Sequence, residues 1–105
     1  MEIIRTAAFS KAAKKLRASA AELYALEAEI VANPEAGDVV QGLKGVRKIR
    51  FSYGGKGKRG GGRCVYLIFA KAEAIYLLLA YGKAKQVDLT ERQRKDILAF
   101  IEDLP

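Results

Sequence analysis

The stretch Leu43–Arg63, LKGVRKIRFSYGGKGKRGGGR, decides how this chain reads. Its first half alternates like a strand: Ile49, Phe51 and Tyr53 share one side, while Val46, Lys48, Arg50 and Ser52 share the other. Arg47 falls on the apolar side and, at the strand's start, can snorkel outward. Gly54 to Gly62 reads as a glycine-rich tip, and Arg63 opens another apolar run, so the whole is a long hairpin. Eight of its residues are basic (Lys44, Arg47, Lys48, Arg50, Lys56, Lys58, Arg59 and Arg63) and none is acidic. Charge this one-sided fits a polyanion as partner.

The remainder of the chain sharpens that contrast. Of 19 basic residues, nine lie between Asp38 and Glu73, where no acid occurs; outside it ten basic residues face twelve acidic ones. The net charge of +7 is therefore concentrated in one supersecondary unit. The chain of 105 residues, half of them apolar, has the size of one globular domain spanning residues 1–105. No apolar run is long enough to span a bilayer, and residues 1–6 lack the pattern of a secretory signal. One cysteine, Cys64, leaves no internal disulfide; with the rest it leads to the expectation of a cytoplasmic protein without a membrane partner.

Histidine is absent, which removes imidazole bases, Ser-His-Asp triads and histidine-bound metals. Neither a metal nor a cofactor is expected. The run Gly55–Gly60 formally matches G-x-G-x-x-G, but it leads into a strand rather than a helix, so no dinucleotide fingerprint is present.

Upstream and downstream of the hairpin the periodicity becomes helical. Residues 2–5 are β-prone and suit an edge strand. Phe9, Ala12, Ala13 and Leu16 recur at helix spacing; Ser19 and Glu22 form a capping box that starts a second helix, with Leu23, Leu26 and Ile30 inward. Asn33-Pro34 ends it, and residues 34–45 form a connection. Residues 63–69 are nearly all apolar, as a central strand covered on both faces would be, and residues 74–81 form another strand. Thr90 and Gln93 make a second capping box, opening a helix with Ile97, Leu98, Ile101 and Leu104 inward. The expected fold is α+β: two N-terminal helices, an antiparallel β-meander and a C-terminal helix, the helices packed on one face.

Lys48 and Arg50, spaced by two, emerge side by side, and Arg63 falls on a neighbouring strand. Mutual repulsion eases loss of the lysine proton, so Lys48 can accept a proton from a ribose 2′-OH while the arginines hold the phosphate. Lys56, Lys58 and Arg59 at the tip suit phosphate contacts. Of the tyrosines, Tyr66 and Tyr76 read as core; Tyr53 and Tyr81 are open between core and base-stacking positions. Cys64 reads as a small core residue.

These residues, taken together, resemble a known family. Asn33-Pro34-Glu-Ala-Gly37-Asp38-Val-Val-Gln-Gly42, Gly45-Val-Arg47-Lys48-Ile-Arg50, Gly55-Lys56-Gly57-Lys58-Arg59-Gly60-Gly61, Arg63-Cys-Val-Tyr66 and Tyr81-Gly82-Lys83 look like the HigB branch of the RelE/ParE toxin superfamily. The resemblance implies the toxin of a type II toxin–antitoxin pair, a ribosome-dependent endoribonuclease that cuts mRNA in the ribosomal A site through its 2′-OH. Its partners would be a cognate antitoxin, the ribosome with its rRNA, and mRNA. By position, Lys48 and Arg50 correspond to the family's basic pair, Lys48 as general base; Arg63 to the arginine that stabilises the scissile phosphate; and Lys83 to a basic residue linked to leaving-group protonation. Arg47, Lys56, Lys58, Arg59 and Lys85 would contact RNA or ribosome. Ala84-Lys85-Gln86-Val87-Asp88 departs from the pattern, offering only Lys85 where many members carry further arginines. Two alternatives stand beside the nuclease: a ParE-like inhibitor of DNA gyrase, and a noncatalytic nucleic-acid-binding module.

Overall fold

The computed structural model describes residues 1–55 and 61–105; Lys56, Lys58 and Arg59 of the expected RNA grip lie outside the described residues. The elements run β1 (Glu2–Arg5), α1 (Ala7–Lys15), α2 (Ala20–Ala32), β2 (Asp38–Val39), β3 (Arg47–Phe51), β4 (Gly62–Phe69), a 3-10 turn (Ala70–Ala72), β5 (Ala74–Gly82) and α3 (Glu91–Glu102). Each helix begins where a side chain satisfies its first free N–H groups. Thr6 Oγ1 accepts from the Phe9 amide at 3.1 Å and donates to the Leu77 carbonyl at 2.8 Å, so the cap also fastens α1 to β5. Ser19 with Glu22, and Thr90 with Gln93, form the two expected capping boxes. The cap hydrogen bonds hold the Glu22 carboxyl below its usual range.

The five strands lie in the order β1-β5-β4-β3-β2. Strands β2 to β5 pair antiparallel with their neighbours, whereas β1 runs parallel to β5 along Glu2–Arg5. The sheet is therefore mixed rather than a pure meander, because the chain leaves β1 through the α1–α2 hairpin and returns to the far side of the sheet before β5 is made. The connection also contributes more than expected: Asp38 and Val39 pair with Lys48 and Arg47 as a two-residue edge strand.

The helices do not share a face. Phe9 and Ala13 of α1 and Leu26 and Ile30 of α2 pack on Ile49, Phe51, Tyr53, Cys64, Tyr66, Ile75 and Leu77. On the other side Ile97 of α3, with Leu89, packs on Val46, Val65, Leu67, Leu78 and Tyr81. The expectation of one helical layer is corrected for a reason visible in β4. A strand apolar on both sides needs a cover on each, and α3 supplies the second. Tyr66 and Tyr53 are core as well, and Tyr76 packs edge-on against Phe100 at 5.4 Å between ring centres. Cys64 is fully buried, and burial pushes its thiol well above the ordinary range, as suits an inert core residue.

β4 and β5 pair with one irregularity. Val65 faces Leu79 and Tyr66 faces Leu77, leaving Leu78 as an extra residue in β5. Before the bulge, Ile75 and Leu77 point to the α1–α2 side; after it, Ala80 does, and Tyr81 has moved to the α3 side.

The connection ahead of β3 is fastened by two buried anchors. The Tyr66 hydroxyl donates to the Pro34 carbonyl at 2.7 Å and accepts from the Gly37 amide at 2.9 Å. A Cβ on Gly37 would come within 2.7 Å of that hydroxyl and 2.9 Å of the Lys48 carbonyl, so only glycine fits. Tyr66→Phe keeps the ring and strands the Gly37 amide. It should lower unfolding stability by about 1–3 kcal/mol, read as a lower midpoint in urea; an unchanged midpoint would show that water replaces the hydroxyl freely.

Candidate nucleic-acid interface

Strand pairing assembles the basic residues. Lys48 and Arg50 alternate with the core residues Ile49 and Phe51, which places both on the face opposite α1 and α2. Arg50 pairs with Arg63 of β4, and Arg63 in turn pairs with Tyr81 of β5. Arg50, Arg63 and Tyr81 thus form one row across three adjacent strands, with Lys48, Val65 and Leu79 as the next row. Arg50 is exposed; Lys48 and Arg63 are half-buried. Side chains directly opposite one another on neighbouring strands sit about 4.5–5.5 Å apart at Cβ, so two guanidinium groups held this way repel.

Gly62 makes the close pairing of β4 with the end of β5 possible. A Cβ there would run into the Tyr81 carbonyl oxygen. The ladder continues just beyond it, where the Lys83 amide donates to the Gly61 carbonyl at 3.1 Å. Lys83 is thereby held two residues from Tyr81, at the Arg63 end of the face, while Lys85 is exposed in the loop that follows.

That loop brings in a carboxylate. Gln86 Nε2 donates to the Asp88 carbonyl at 2.9 Å and to Gln93 Oε1 at 2.6 Å, tying the loop to the start of α3. Asp88 Oδ1 accepts from the Leu89 amide at 2.8 Å and lies 3.8 Å from Lys48 Nζ. The repulsion expected around Lys48 is thus partly balanced by an anion from the chain itself. With side-chain exposures of 28% and 62%, this pair contributes little to stability. Beside it opens a cleft of 430 Å³ lined by Val39, Val40, Gln41, Gly42, Lys48, Asp88 and Arg94, large enough for a nucleobase.

Tyr81 is the residue that the sequence left open. It is only 4% exposed, and its hydroxyl oxygen has no hydrogen-bond partner among the described residues. Burial raises its pKa above the ordinary phenol range; the nearby Asp88 carboxylate adds to the rise and Arg63 opposes it. The hydroxyl therefore lies in the combined field of the two charged groups that border the site.

Not every expected contact residue is here. Arg47, one residue out of phase with Lys48, extends to the connection: its Nη1 donates to the Gly37 carbonyl at 2.7 Å and to the Glu35 carbonyl at 3.0 Å, with the Glu35 carboxylate 3.8 Å from Nη2. Its guanidinium is engaged within the fold. The sequence assigns Asp88 only to the loop after the last strand, with no role at this face. The only hint of it was its place, two residues before a capping box that anchors the loop on α3.

No protein-family model matches this chain. Among solved structures it is similar to the E. coli toxin RelE, in a free-state structure of a double arginine-to-alanine mutant. The TM-score is 0.60 and the identity 15%, over 95% of this chain and 96% of that one. This chain has the RelE fold. At this identity the likeness is one of fold alone, and the basic row sits on that fold.

The two kinds of arginine should separate in a stability measurement. Arg47→Ala removes charged donors from two carbonyls and should lower stability by about 1.5–3 kcal/mol. Arg63→Ala relieves repulsion with Arg50 and should leave the melting temperature unchanged or raised, the rise shrinking in high salt. Thermal melts at low and high ionic strength decide it; a larger loss for Arg63→Ala than for Arg47→Ala would reverse the assignment.

Proposed function

We propose that this chain is the toxin of a type II toxin–antitoxin pair, a HigB-like member of the RelE/ParE superfamily that cuts mRNA in the ribosomal A site. The observation that supports it most is the convergence of Lys48, Arg50 and Arg63 on one sheet face, where like charges are held together at a cost that a phosphate relieves. The RelE-like fold supports the same reading.

The chemistry follows from the groups present. Lys48, as the free amine, takes the proton from a ribose 2′-OH, and the resulting alkoxide attacks the adjacent phosphorus. Arg63 and Arg50 hold the nonbridging oxygens as negative charge builds on them. The bond to the 5′ oxygen breaks, that oxygen receives a proton from Lys83, and the products are a 2′,3′-cyclic phosphate and a 5′-hydroxyl. No cofactor enters these steps. Asp88 occupies Lys48 until RNA arrives and, being largely exposed, can turn aside. Lys56, Lys58 and Arg59 at the hairpin tip, together with Lys85, contact rRNA or the mRNA backbone. A cognate antitoxin covers the toxin between episodes, in the cytoplasm. Among the described residues, no helix is long and apolar enough to cross a membrane.

Induced expression followed by mapping of mRNA 5′ ends tests this. New ends within translated frames are expected, with growth arrest. Lys48→Ala, Arg50→Ala and Arg63→Ala should each reduce cleavage by about 10²-fold or more, as loss of a proton-transfer or charge-stabilising group does. Intact transcripts with arrested replication would point to a gyrase inhibitor, and RNA binding that weakens with salt but never cuts would point to a noncatalytic module. Either result ends the nuclease reading.

A further inference from the structure

We propose that Tyr81 is a substrate-contacting residue of this site, its buried hydroxyl a hydrogen-bond donor reserved for the phosphate that Arg63 and Arg50 grip. The identity of that phosphate as an RNA phosphodiester rests on the function proposed above; the anion subsite itself does not.

Burial without a partner carries the first part of the case. A hydroxyl enclosed in an apolar cluster and left unpaired costs about 1–3 kcal/mol. Phenylalanine would fill the same space between Val65, Leu89 and the α3 side of the sheet without that cost. The fold keeps the hydroxyl nonetheless, and an unpaired buried group of this kind calls for an explanation, of which a role toward a ligand is one.

Position carries the second. Tyr81 stands directly opposite Arg63, which stands directly opposite Arg50, so the phenol closes a row whose other members are both cations. Arginine has no acceptor to offer a phenol. Beside two cations, an anion is the acceptor this donor suits best, because the same field that favours it also strengthens the hydrogen bond. The chain's own nearby anion, Asp88, is already engaged with the Leu89 amide and Lys48. Its carboxylate marks where negative charge is tolerated at this face, and its exposure lets it yield to a phosphate.

The bulge carries the third. Without Leu78 as an extra residue, Tyr81 would fall in phase with Ile75 and Leu77 and point into the α1–α2 core. The irregularity turns it to the basic face, and bulges are over-represented where a side chain must be re-aimed beside an active site.

Tyr81→Phe isolates the hydroxyl, because packing is preserved. At constant ionic strength, binding of inorganic phosphate is followed by NMR shifts of the Arg50 and Arg63 side chains, and thermal melts are recorded without phosphate. The expected result is a melting temperature equal to or above that of the unaltered chain, with phosphate binding weakened about tenfold or more, as for loss of a hydrogen bond to a charged group. Asp88→Asn should strengthen the same binding. The proposal is overturned if Tyr81→Phe binds phosphate as the unaltered chain does, if it melts at a lower temperature, or if phosphate never shifts Arg63. Cleavage of mRNA on programmed ribosomes separates the two readings. Weakened phosphate binding with no cleavage by the unaltered chain keeps the subsite and ends the nuclease. Native phosphate binding in Tyr81→Phe with cleavage by the unaltered chain does the reverse.

Discussion

Where β4 meets β5, Val65 pairs with Leu79 and Tyr66 with Leu77, and the one residue left over, Leu78, sets the phase of everything that follows in β5. Side chains alternate strictly along a strand, so an extra residue exchanges the two faces for the rest of its length. Ahead of the bulge β5 serves the α1–α2 core through Ile75 and Leu77; beyond it Ala80 serves that core and Tyr81 the opposite face. The smaller Ala80 now lies toward α1, while a ring that would have filled the core is placed beside Arg63. Both faces of the sheet, and which side chain stands beside Arg63 at its end, depend on this one shift in pairing.

The basic row is stabilised from below rather than from within. Opposed Arg50 and Arg63 contribute repulsion, and the Lys48–Asp88 pair is too exposed to offset much of it. What holds the three cations in place is the apolar packing of their neighbours: Ile49 and Phe51 on one side, Val65 and Leu67 on the other. Burial of aliphatic side chains contributes roughly 1.5–3 kcal/mol each, which exceeds the cost of a screened pair of like charges at a surface. The sheet can therefore carry an unfavourable electrostatic arrangement without losing its fold.

Most of the frame was legible because it is written in local chemistry. The capping boxes at Ser19 and Thr90 act through residues three apart, and the alternation from Ile49 to Tyr53 is a property of a single strand. Lys48, Arg50 and Arg63 could be brought together because hairpin pairing is nearly local too. What escaped was set by contacts distant in sequence. The side of the sheet that α3 covers depends on where a loop crosses, and the bulge at Leu78 sits inside an unbroken apolar run that any register would satisfy. Asp88 comes beside Lys48 and Tyr81 beside Arg63 by those two routes, one by the loop and one by the bulge. Neither leaves a mark on residue type or spacing.

The pair Arg47 and Lys48 shows how far one residue of phase can carry. Both are basic, adjacent and in β3, and composition treats them alike. Arg47, in phase with Ile49, is drawn to the Glu35 and Gly37 carbonyls, where a planar, always-charged donor set can serve two acceptors at once. Lys48, in phase with Arg50, extends to the opposite face with a single flexible amine that lies 3.8 Å from the exposed Asp88 carboxylate. The exchange would fail in both directions. A lysine at position 47 would reach the two carbonyls with a point charge, and an arginine at position 48 would bring a planar fork where a compact ammonium now meets Asp88. The alternation of the strand thus divides one basic cluster into a fastening for the connection and a set, Lys48 and Arg50 continued across to Arg63 and Tyr81, that shares the face opposite α1 and α2.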